Sequence, residues 1–104
     1  MTSAPPPKAY IDTMVFVYFF KKHWLTSRAR KFFNDIEKGR YVGLVTSFTI
    51  AEYIAVMRTL LCEVRRRPST YNDATKLRQE IEKSIDDMGI MLYDADKLSS
   101  DLYR

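Results

Sequence analysis

The chain has 104 residues, 46% of them apolar and 29% charged, and a formal net charge of +4. That length allows one domain with a single core, and the balance of apolar and charged residues excludes a disordered chain. The longest apolar run, Met14 to Phe20, falls far short of the roughly 20 residues of a membrane span, so no membrane partner is expected. The single cysteine, Cys62, excludes an internal disulfide and points to a reducing, cytoplasmic setting. The basic excess fits an anionic partner such as nucleic acid, and fits equally a basic domain that binds nothing acidic.

Residues 1–7, with three consecutive prolines, read as a disordered tail with no apolar leader. Next comes "AYIDTMVFVYFF", residues 9–20, in which Asp12 interrupts an apolar run. As one long strand it would put a carboxylate in mid-sheet, at a cost of several kcal/mol unless it protonates. The cheaper reading is a strand over 8–12, a stop at Asp12, Thr13 as helix cap, and Val15 to Phe20 as a buried helical face. The basic "KKHW" (21–24) offers Trp24 as a base-stacking ring and His23 as a proton carrier or as an inert loop residue.

A helix is predicted over 26–38, where Ala29, Phe32, Phe33 and Ile36 share a face. Thr26 or Ser27 can cap it, and Gly39 follows its end. "YVGLVT" (41–46) predicts a buried strand. Residues 48–64 predict a long helix with a stripe of Ile50, Ile54, Met57, Leu61 and Val64, ended by "RRRPS". Cys62 reads as a packed thiol beside that stripe. A further helix is predicted over 72–88, closed by Gly89, then a strand in "IMLYDA" and the first turns of a helix from Asp96.

Strands separated by helices imply parallel crossovers, hence an α/β fold with helices on both faces of the sheet. Asp12 then sits at the carboxyl end of a strand, the edge where open α/β sheets bind ligands. Glu52 follows the next strand in a comparable position. It reads either as a second site acid or as the partner of Thr49 in a capping box. Together the two could hold a hard cation such as Mg²⁺ or Mn²⁺. Asp94, Asp96 and Asp101 could add to them, or could simply be turn and cap residues. Arg65, Arg66 and Arg67, near Tyr71, read as RNA-phosphate contacts or as a solvated helix end. Phe16, Phe19, Phe20, Phe32 and Phe33 read as core; any part left exposed would favour dimerisation.

"YIDTMVFVYFF" followed by "RKFFNDIEKGRYVGLVTSFTIAEYIAVMR" resembles the PIN-domain nucleases, including the VapC-type toxins of toxin–antitoxin pairs. The matching elements are Asp12–Thr13 after the first strand, and Thr46–Ser47 with Ala51–Glu52 after the second. The likeness covers residues 8–66 well and 72–104 more loosely. It implies a three-layer α/β/α domain over 8–104 that is missing its C-terminal part. It also implies Mg²⁺- or Mn²⁺-dependent cleavage of RNA with Asp12 and Glu52 as metal ligands, a homodimer, and an antitoxin partner. Two departures stand out. Met14 occupies a position where the family usually has Asn, and the family's later acids fall beyond the helix that begins near Asp96. The alternative is a shortened module that binds a protein or RNA without cutting.

Overall fold

The computed structural model describes residues 4–93; the expected final helix and Asp94, Asp96 and Asp101 lie outside the described residues. The elements run β1 (Lys8–Tyr10), α1 (Thr13–Phe20), α2 (Thr26–Glu37), β2 (Val42–Thr46), α3 (Ser47–Arg65), α4 (Tyr71–Asp87) and β3 (Met91–Tyr93). The strands form one parallel sheet in the order β1-β2-β3. Pairing extends slightly past β1: Val42 N donates to Pro7 O and Ile11 N donates to Leu44 O, each at 2.9 Å. The N-terminal tail therefore meets the sheet at Pro7.

Side chains alternate along a strand, so residues in register share a face. Ile11, Val45 and Ile90 join the core formed by all four helices. Gly43 looks the same way. A Cβ there would stand 2.9 Å from Ile36 Cδ1, 3.1 Å from Ile11 Cδ1 and 3.2 Å from Ile90 Cγ1, so the bare backbone is what lets α2 settle onto the sheet. Phe16 and Phe33 are fully buried above it, their rings 5.2 Å apart, with Tyr53 edge-on to Phe16 at 6.4 Å.

The register pairs Tyr10 with Leu44 and Leu44 with Met91, which puts these three on the opposite face. Leu44 is buried, but Tyr10 is 63% exposed and Met91 52% exposed. The four described helices thus lie on one face of the sheet. The strand order supplies the reason. It advances in one direction only, and successive right-handed crossovers that advance in one direction deliver their helices to the same side.

Local chemistry sets the helix ends, in places differently from the expectation. Asp12, not Thr13, is the N-cap of α1, and Thr13 is buried beneath it. Neither Thr26 nor Ser27 caps α2, which has no side-chain cap. Instead Thr26 Oγ1 accepts from His23 N at 3.0 Å and lies 2.7 Å from Tyr18 O and 2.9 Å from Lys21 O, bracing the α1–α2 turn. Helix α3 ends where Arg66 turns left-handed at φ 55°. Its apolar stripe runs out sooner than expected: Val64 is 74% exposed, and Cys62 is exposed rather than packed. At the end of α4, Gly89 takes φ +70°, a conformation that L side chains rarely adopt. No helix among the described residues is long and apolar enough to cross a membrane.

Candidate functional site

The carboxyl edge of the sheet is assembled by register. Tyr10 is level with Leu44 and Thr46 with Tyr93, so Asp12 arrives at the level of Thr46. Both residues are helix N-caps, of α1 and α3, and the two helices pack against each other. This edge therefore carries two helix N-termini, whose partial positive charge favours anions.

Asp12 is exposed and oriented. Its Oδ1 accepts the N–H of Met14 at 3.1 Å, and Val15 N donates to its carbonyl at 3.0 Å. The carboxylate thus performs a local structural task, and its remaining acceptor sites stay open to solvent. Met14 is 38% exposed beside it and offers only a thioether.

Glu52 lies in the second turn of α3, not the first, because the helix begins at Ser47. The capping box is formed by Thr46 and Thr49: Thr49 N donates to Thr46 Oγ1 and Thr46 N donates to Thr49 Oγ1, each at 3.3 Å. Glu52 is not the acid of a box with Thr49. It is exposed and makes no hydrogen bond or ion pair to another described residue. Among the described residues there is no group of three or more His, Cys, Asp or Glu side chains placed to share a metal ion. Asp12 at the head of α1 and Glu52 in the second turn of α3 are the acids these two helices carry toward the carboxyl edge.

The three arginines are not equivalent. Arg65 donates to Asp73 Oδ1 at 3.4 Å, and Arg67 donates to Asp73 Oδ2 at 3.2 Å. Thr70 N donates to the same carboxylate at 2.9 Å, and Thr70 and Asp73 form the capping box of α4. The bond from the Thr70 amide, and after it the Arg67 guanidinium, pull the Asp73 carboxyl down to about 2. Two of the three cations are therefore committed to holding the α3–α4 turn, and among the described residues Arg66 alone of the three is unpaired.

Tyr53 was not singled out by the sequence. It interrupts the Ile50–Ile54–Met57 stripe and is fully buried. Its hydroxyl has no hydrogen-bond partner among the described residues. Burial, and secondarily the charge of Glu80, push it up to about 12. The ring floors a cleft of about 280 Å³ bordered by Lys21, Asp73, Lys76 and Glu80. The only available signal was a tyrosine on an apolar helical face, which ordinarily reads as core.

His23 and Trp24 lie at the far end of α1 from Asp12, both exposed. Searches against protein-family models, curated proteins and solved structures returned no match for this chain.

Proposed function

We propose that this chain is a PIN-like, metal-dependent ribonuclease domain in which Asp12 and Glu52 ligate Mg²⁺ or Mn²⁺. The observation that carries the reading is the carboxyl edge. An exposed, backbone-oriented Asp12 heads α1, level with the N-cap of α3, and the next acid on α3, Glu52, is exposed and uncommitted. A bound cation would lower the pKa of a water ligand and offset charge on the scissile phosphate. The protein's own contribution is positional. The Met14 amide fixes the Asp12 carboxylate, the Thr46–Thr49 box fixes the start of α3, and two helix N-termini favour the phosphate at that edge. The homodimer and an antitoxin partner belong to the same reading. The exposed Tyr10 and Met91, on the sheet face that no described helix covers, supply apolar surface for such contacts.

The second reading is a module of the same fold that binds without cutting. It is favoured by the lack of a third acid beside Asp12 and Glu52 among the described residues. One experiment separates the two. Single-stranded RNA is incubated with the full chain in Mg²⁺, in Mn²⁺ and in EDTA, beside Asp12→Asn and Glu52→Gln. The nuclease reading expects cleavage in metal alone that both substitutions abolish. Intact RNA in both metals rejects it for this chain and leaves the binding module.

A further inference from the structure

Between Asp12 and Asp35 the chain contains no acidic residue, yet it holds Lys21, Lys22, Arg28, Arg30 and Lys31. Among the described residues only Lys31 of these is in an ion pair, with Asp35 at 3.6 Å. The turn joining α1 and α2, and α2 up to Lys31, thus carry positive charge with no acid among them. Three aromatic rings are stacked at that turn. Tyr18 and His23 lie 4.6 Å apart with planes 26° from parallel, and His23 and Trp24 lie 5.7 Å apart at 30°.

Trp24 is 79% exposed. The turn that carries it is not loose. Thr26 Oγ1 ties His23 N to the carbonyls of Tyr18 and Lys21, and His23 Nδ1 accepts the N–H of Leu25 at 3.1 Å. The stack is therefore held before anything binds, which lowers the ordering cost of binding. Lys21 and Lys22 precede His23 and Trp24 in the turn, and Arg28 borders an apolar cleft with Tyr18, Val15, Leu25 and Phe32. Cations next to aromatic faces are the pairing that single-stranded nucleic acid uses.

We propose that Tyr18, His23 and Trp24 form a base-stacking platform for single-stranded nucleic acid, with Lys21, Lys22 and Arg28 contacting the flanking phosphates. A base lies on the open indole face, extending the ring stack by one member, and the strand continues past Lys21 and Lys22 of the turn and Arg28 of α2. Asp12 is at the other end of α1, roughly 12 Å away along its axis. The platform depends on charge and ring geometry and not on metal chemistry, so it stands or falls separately from cleavage.

Trp24 is the chain's only tryptophan, so its fluorescence reports the site directly. The full chain is titrated in EDTA with oligouridylate and with oligothymidylate, following tryptophan emission and the anisotropy of an end-labelled strand. Binding that quenches Trp24 with either strand supports the platform. Trp24→Ala should weaken binding about tenfold while Trp24→Phe keeps most of it, and Lys22→Ala should lower the salt slope by about one. Unchanged emission at saturation, affinity of Trp24→Ala within about twofold of the parent, or no binding of either strand overturns the proposal. A chain that binds in this way without cutting loses only the nuclease reading. One that cuts without a Trp24 response loses only the platform.

Discussion

The Oδ1 atom of Asp12 accepts the backbone N–H of Met14 at 3.1 Å, so the acid at the head of the candidate site also caps the helix behind it. The two roles respond differently to substitution. Asparagine caps about as well as aspartate, whereas alanine in place of a good cap costs about 1 kcal/mol. Asp12→Asn should therefore unfold in urea within about 0.5 kcal/mol of the parent, allowing for the lost helix-dipole term, and Asp12→Ala should be less stable by about 1 kcal/mol. Metal-dependent cleavage should be lost in both. A stable Asp12→Asn that still cleaves would leave the carboxylate with its structural role alone.

Thr46 and Glu52 make a complementary pair of tests. The Thr46 hydroxyl takes the Thr49 amide and its own amide is taken by the Thr49 hydroxyl, while Glu52 contributes to neither bond. Thr46→Ala should cost about 1 kcal/mol in a denaturant titration. Glu52→Gln should stay within about 0.5 kcal/mol, as expected of an exposed position without a cap or an ion pair. Equal destabilisation by the two would return Glu52 to the capping role.

The element order could be read from sequence because apolar period and punctuation agreed, as in α2, where the Ala29–Phe33–Ile36 face is buried as expected. Asp12 was placed at a strand end by the cost of burying its charge, and it is found there. What the sequence could not settle was decided by competition between near-equivalent partners. Thr46, Thr49 and Glu52 offered two overlapping capping boxes, and the one beginning at the strand end formed. The face on which the described helices lie rests on the direction in which strands are added to the sheet, which residue periodicity does not encode. The commitment of Arg65 and Arg67 to Asp73 depends on a turn that folds α4 back along α3, a contact between neighbours in space that a run of three arginines does not disclose.

That Asp73 cluster should be visible on the acid side. The carboxyl is lowered from 3.8 to about 2 in the folded chain, so the unfolded chain binds its proton more readily. Its contribution to stability is complete above about pH 4 and is lost as the pH falls toward about 2. Asp73→Asn should lower stability at neutral pH and flatten the fall across that window. Melting temperatures taken at intervals between neutral pH and about pH 2 check this. Parallel curves for the two proteins would show that the cluster does not contribute in solution.

Tyr53 makes the reverse case on the alkaline side. Its hydroxyl is buried without a partner among the described residues, and a buried unsatisfied polar group costs about 1–3 kcal/mol. Tyr53→Phe removes the oxygen and keeps the ring that meets Phe16 at 6.4 Å and Phe20 at 5.8 Å. It should therefore be as stable as the parent at neutral pH, or more stable by about 1 kcal/mol. Because burial raises the hydroxyl from 10.0 to about 12, it ionises more readily in the unfolded chain, so the parent loses stability as the pH climbs from about 10 toward about 12. The difference between parent and Tyr53→Phe in urea titrations should consequently widen in favour of phenylalanine over that range, with the other tyrosines cancelling. A Tyr53→Phe protein that is less stable by about 1 kcal/mol would mean that the hydroxyl has a partner, with Glu80, the carboxylate whose charge it feels, the first to test by Glu80→Gln.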